Sequence, residues 1–272
     1  MVSAGWLGLL LLNGTLGTHA AIEILADRTP AALFGNGKRI IRPQFHNPDP
    51  HTSELNLRYR IYQASASTLM PLGEIQSWKN LTLTSNQTVV ESFEVELPAI
   101  RGTTMFQIVW YDGEKKLGPT LINAFPSELL KPLEALAGGK PIGLLDPDGR
   151  FKATLGPIPL HELKDAEDVT STETGLILIA PMTAALRPAG LTEALKRKAA
   201  AGCAVVWIQP EALRQLATLP DAYVVNEGTG RIVVATATTV ADLAESPGAQ
   251  LNLVRLAELA VGKKQLELPH AP

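Results

Sequence analysis

The chain has 272 residues, 46% of them hydrophobic, with 24 basic against 27 acidic side chains and a single cysteine. This length fits two domains with real cores, and the apolar content excludes a disordered chain. The charge balance excludes the basic footprint that a phosphate backbone demands, and a lone cysteine excludes an intramolecular disulfide.

The first twenty residues, "MVSAGWLGLLLLNGTLGTHA", carry no charged side chain. Trp6 to Leu12 forms a short apolar core, and Thr18-His19-Ala20 fits a small-x-small cleavage site. The run is too short to span a bilayer as a helix. Residues 1–20 are therefore expected to be a signal peptide, the protein periplasmic or secreted, and the mature chain without an integral membrane span. No cysteine follows the apolar core, so a lipoprotein-type anchor is not expected.

From residue 21 to about 125 the apolar pattern has period two, and the segment holds ten charges of each sign. In "LNLRYRIY" Leu55, Leu57, Tyr59 and Ile61 alternate with Asn56, Arg58 and Arg60. In "VVESFEVEL" Val89, Phe93, Val95 and Leu97 share one face. Such alternation describes strands with one side in a core and one in water. "MFQIVWYDGEKKLG" predicts a hairpin turned by Asp112-Gly113. With "IEIL", "RIIRPQF" and "NLTLT" the count reaches about seven strands, enough for an immunoglobulin-like sandwich over 21–125.

After Pro126 the period changes, and the domain boundary is expected between Ala124 and Leu129. Ser127 is placed to cap a helix through "ELLKPLEALAGG", closed by Gly138-Gly139. Four apolar runs follow: "PIGLLD", "GLILIAP", "CAVVWIQ" and "RIVVAT", with "PLHELKD" as a further short strand. Strands apolar on both faces are covered on both, which predicts a parallel sheet between helices over 126–272. The helix "LTEALKRKAAAG" shows this logic, with Leu191, Ala194, Leu195 and Ala199 along one stripe. Ser246-Pro247 starts a last helix whose Leu253, Leu256, Ala257 and Ala260 form another stripe. No internal repeat is present.

"TGLILIAPMTAALRPAGLTEALKRKAAAGCAVVWIQP" carries a resemblance. Its strand, Pro-containing exit, Ala-Gly-terminated helix and second strand resemble the flavodoxin-like, class I glutamine-amidotransferase-like domains of secreted bacterial proteins and of some glycoside hydrolases. The match covers roughly residues 129 to 262. The first half resembles the immunoglobulin-like modules that accompany such domains. The resemblance implies a two-domain fold, an all-β sandwich followed by an α/β parallel sheet with helices on both faces. It also implies a degenerate catalytic centre, because catalytic members place a cysteine at the strand-to-helix elbow with His and Glu later in the chain. Here Gln209-Pro210-Glu211 occupies that elbow. Cys203 sits at the opposite end of its strand, where a small core residue is expected.

The candidate ligand rim lies beyond the carboxyl ends of the parallel strands: Asp146, Asp148, Met182, Thr183, Gln209 and Glu211. Trp78, expected in a loop, and Tyr111 are candidates for stacking on sugar rings. "HNPDPH", with His46, Asp49 and His51, resembles a metal cluster, but Pro48 and Pro50 make it a shaped loop. No metal and no cofactor is expected. The leading expectation is a non-catalytic accessory protein that engages a partner protein or a glycan. The alternatives are a carbohydrate-active hydrolase or esterase working from Asp146, Asp148 and Glu211, and a structural envelope scaffold.

Overall fold

Alternation in the first part of the chain becomes ten strands in the computed structural model, which describes residues 22–25, 30–156, 158–209 and 222–262. They are β1 (Glu23–Leu25), β2 (Ala31–Phe34), β3 (Gly37–Ile41), β4 (Gln44–His46), β5 (Ser53–Ala64), β6 (Leu69–Leu83), β7 (Thr88–Val90), β8 (Phe93–Leu97), β9 (Thr104–Asp112) and β10 (Lys115–Phe125). The expected signal segment lies outside the described residues. The chain divides into two compact units and passes between them more than once.

The first unit contains Ile40–Phe93 and Gln107–Leu121. Antiparallel β1, β4 and β7 form one sheet, and β6, β5, β9 and β10 lie side by side in another. Leu55 and Leu57 of β5 are buried with Ile108 and Trp110 of β9, as period-two alternation requires. Trp110 sits among aromatic rings, its centroid 5.0 Å from Phe93, 5.2 Å from Trp78 and 5.5 Å from Phe45. Its buried indole N–H donates to Thr120 Oγ1 at 2.9 Å. Trp78 stands on β6, not in a loop. Its neighbours Ser77, Lys79 and Asn80 make this stretch look irregular, yet β6 pairs with β5 through register shifts along its length. In the β9–β10 hairpin Gly113 takes φ +56, while Asp112 ends β9 and accepts a hydrogen bond from the Asn56 N–H on its Oδ1. The left-handed turn therefore starts one residue later than Asp112-Gly113 predicts.

The loop between β4 and β5 is organised by Asn47, which is fully buried. Its Nδ2 donates to the carbonyls of His51, Leu83 and Thr84 at 2.8 to 3.1 Å, and its Oδ1 accepts from the Asp49 N–H. Asp49 in turn accepts from the backbone and ring of His51. Among the described residues no group of three or more His, Cys, Asp or Glu is placed to hold a metal ion.

The second unit contains Pro30–Arg39, Glu94–Phe106 and the chain from Ile122 onward. β2 runs parallel to the end of β10, with Ala31 opposite Ile122, and β3 pairs with β8. The rest is a six-stranded sheet of β11 (Ile142–Leu145), β12 (Leu160–Glu162), β13 (Leu176–Ile179), β14 (Ala204–Gln209), β15 (Ala222–Glu227) and β16 (Gly230–Thr236). Its order is β12-β11-β13-β14-β16-β15, parallel throughout except for β15. β15 forms a hairpin with β16 across Gly228, a strand the four-run reading does not contain.

Strands buried on both faces split their side chains between two clusters. Leu144, Leu178, Val206 and Val233 pack with α1 (Pro132–Leu136), α2 (Arg150–Leu155) and α5 (Pro247–Val261). Ile177, Ile179, Val205 and Val234 pack with α3 (Ala166–Ser171) and α4 (Leu191–Ala200). The stripes of α4 and α5 are the ones their periodicity predicts. Ser246 caps α5, its Oγ accepting from the Ala249 N–H. α1 differs from expectation, beginning at Pro132 instead of after Ser127. Proline lacks the N–H and crowds the preceding turn, so it opens a helix more readily than it continues one.

Candidate functional site

The sheet order reverses direction at β11, whose two neighbours are reached by crossovers on opposite sides. In open α/β sheets such a switch point leaves a crevice outside the carboxyl ends of the strands. A cavity of about 300 Å³ lies there, bounded by Asp146 and Pro147 after β11, Lys152 of α2, Glu162 and Lys164 from β12 and its exit, and Leu186.

Each polar group in this crevice has a local cause. Asp146-Pro147-Asp148-Gly149 turns the chain from β11 into α2, closed by the Gly149 N–H donating to the Asp146 carbonyl at 3.1 Å. Gly149 takes φ +71, a left-handed conformation that suits glycine. Asp146 Oδ2 then accepts from the Lys152 N–H at 2.9 Å, satisfying a donor in the first turn of α2. From that turn the Lys152 ammonium reaches across to Glu162 Oε1 at 2.5 Å. The hydrogen bond and charge of Lys152 hold the Glu162 carboxyl below the usual glutamate value, with a further contribution from Lys164. The Lys164 N–H donates to Asp168 Oδ2, which ties the exit of β12 to the start of α3. Leu186, 48% exposed, sits in the single helical turn Ala184–Leu186 and adds an apolar edge.

Of the five expected rim residues that lie among the described residues, only Asp146 lines this cavity. Asp148 is exposed on the same turn. Met182 is buried in the cluster that holds Leu191 and Trp207. Thr183 is exposed where the chain enters the Ala184–Leu186 turn, and Gln209 ends β14 opposite Thr236 of β16. Glu211 lies outside the described residues. Lys152, Glu162 and Lys164 are the groups that sequence reasoning missed. Their signals are local, the helix behind Asp-Pro-Asp-Gly and the short "PLHELKD" strand, but only the strand order places them beside Asp146.

Cys203 precedes β14 at the amino end of the sheet, remote along its strand from Gln209. It is 7% exposed, and its Sγ donates to the Thr174 carbonyl at 3.5 Å. Burial pushes the thiol above its ordinary value, against smaller opposing effects of Thr174 and the Lys198 and Lys140 charges. It is a packed core residue.

No family model matches the chain, and no curated protein matches it. Among solved structures it is similar to a β-glucosidase from Listeria innocua in complex with glucose, at 10% identity and a TM-score of 0.29 over 38% of this chain and 16% of that one. It is similar to the Pseudomonas fluorescens alkylpurine DNA glycosylase AlkC bound to abasic-site DNA, at 18% identity and a TM-score of 0.29 over 40% of this chain and 31% of that one. A third is the Bifidobacterium adolescentis GH3 β-glucosidase, at 8% identity and a TM-score of 0.27 over 39% of this chain and 17% of that one. The aligned part thus spans a third or less of the length of these structures. Among the described residues no helix is long and apolar enough to cross a membrane.

Proposed function

We propose that this is an exported, non-catalytic binding protein, secreted or periplasmic. In it an immunoglobulin-like sandwich precedes a flavodoxin-like, degenerate glutamine-amidotransferase-like domain, and the chain engages a partner protein or a glycan. The strand order around β11 supports the flavodoxin-like reading, because the five parallel strands follow a second-first-third-fourth-fifth arrangement. The uncharged, apolar first twenty residues support export.

One observation carries the binding reading. At the switch-point crevice Lys152 holds two carboxylates, Glu162 through its ammonium and Asp146 through its N–H, and it lowers the proton affinity of Glu162. A general acid or base works best with a pKa near the working pH, whereas a recognition rim needs fixed donors and acceptors beside an apolar edge. Lys152, Glu162 and Leu186 supply the second arrangement.

The test is a glycan array and an envelope pull-down, run beside glycosidase, esterase and amidase assays. Wild-type protein is expected to capture a ligand without turnover, and Lys152→Glu to weaken that capture about tenfold or more, by setting two like charges together. Turnover that vanishes in Asp146→Asn would overturn the proposal.

A further inference from the structure

β5 carries Arg58, Arg60 and Tyr62 across two register irregularities, so their side chains are placed by the contacts they make and not by strict alternation. β9, its neighbour in the sheet, adds Tyr111. The Tyr62 and Tyr111 hydroxyls lie 3.3 Å apart, and the Arg60 guanidinium lies 5.6 Å from the Tyr62 ring centroid. All four side chains are half-buried.

Both arginines are held in place by backbone carbonyls. Arg60 Nε donates to Gly73 at 2.8 Å, and Arg58 Nη1 to Gly113 at 3.4 Å. Arg58 Nε is buried and has no hydrogen-bond partner among the described residues. The salt bridges found among the described residues involve neither Arg58 nor Arg60. Neither Tyr62 nor Tyr111 stacks on another aromatic ring among the described residues, in contrast to Trp78, which is packed against Phe93 and Trp110. Burial, followed by the Tyr62 hydrogen bond, keeps the Tyr111 hydroxyl protonated beyond the ordinary tyrosine range.

We propose that Arg58, Arg60, Tyr62 and Tyr111 form a binding surface for an acidic saccharide, with a uronic-acid carboxylate on the guanidiniums and a sugar ring against the tyrosines. Fixed guanidiniums favour planar carboxylates through paired N–H donors, and phenol faces accept the C–H side of a pyranose. A polyphosphate strand fits less well, because residues 21–125 carry as many acidic as basic groups and supply no extended positive field. This inference narrows the proposed function by assigning a ligand class, and it rests on that reading.

Calorimetric titration with tri-galacturonate, with maltotriose and inorganic sulfate as comparisons, tests it on the full chain. Tri-galacturonate is expected to bind at low salt, and to bind about tenfold more weakly in Arg60→Gln and in Tyr111→Ala. Tyr111→Phe, which keeps the ring, is expected to stay within about threefold. Unchanged intrinsic tryptophan fluorescence and an unchanged unfolding midpoint verify that each variant is folded. Equal binding of maltotriose, binding of sulfate as tight as that of the saccharide, or affinity untouched by both substitutions would overturn the inference. So would absence of tri-galacturonate binding. If another glycan or a partner is still captured through the Lys152 crevice, the proposed function stands; if nothing is captured at all, it falls too.

Discussion

Asn47 has no exposed surface, and its Nδ2 contacts three backbone carbonyls from the ends of two loops. Two amide protons serve these acceptors, and removing them takes the donor from the buried contact to the Leu83 carbonyl and from the part-buried contacts to His51 and Thr84. Asn47→Ala is expected to cost about 2–3 kcal/mol, read from the denaturant midpoint, since each unsatisfied buried group costs about 1–3 kcal/mol. Cys203 makes a prediction of a different kind. Below the ordinary thiol value of 9.0 the sulfur is protonated whether the chain is folded or not. Above it the unfolded chain releases the proton first, because burial raises the folded value, so stability falls as pH rises. Cys203→Ala is expected to fall less steeply than wild type on the alkaline side. The native thiol is expected to resist alkylation until denaturant is added. The position of Cys203 was legible in the residues themselves, since Gly202 before it and an apolar run after it set its end of the strand. The setting of Trp78 was not: its ring neighbours Phe45, Phe93 and Trp110 come from distant parts of the chain.

Elements with a strong local signal were legible. α4 and α5 announced their stripes, and Ser246 announced a cap; Ser246→Ala is expected to cost about 1 kcal/mol in thermal or chemical unfolding. Elements set by neighbours were not. α1 is shorter than the run from Ser127 suggests, because Pro132 opens the helix. β15 escaped because its strand character depends on pairing with β16. Gly175, just before β13, shows how closely elements meet: a Cβ there would lie 1.8 Å from the Ala137 carbonyl oxygen at the end of α1. No relaxation of a flexible side chain relieves that overlap, because the obstacle is backbone. Gly175→Ala is expected to destabilise by about 3–5 kcal/mol, in the range of severe core overpacking. Gly102→Ala, where nothing stands within 4 Å, is expected to be close to neutral and serves as the control.

At the scale of the whole molecule, composition and period conveyed a β part followed by an α/β part, and the structure has both. Strand order carries the crevice, and no local pattern records strand order: Lys152 and Glu162 become partners only because β12 lies beside β11. The second unit also includes Pro30–Arg39 and Glu94–Phe106, drawn from within the β-rich part of the sequence. A fragment starting at Ile122 lacks β2, which lies against α5. Such a fragment is expected to unfold at a lower urea concentration than the α/β sheet of the full chain, as followed by hydrogen exchange in β13 and β14. That contact between β2 and α5 also bears on biogenesis. Residues 31–34 wait for a helix at 247–261, so about two hundred intervening residues must be synthesised before this contact can form. During that interval the apolar side chains of the early strand lack their helix cover, a period in which chaperone protection favours yield and rapid heating or concentration favours aggregation.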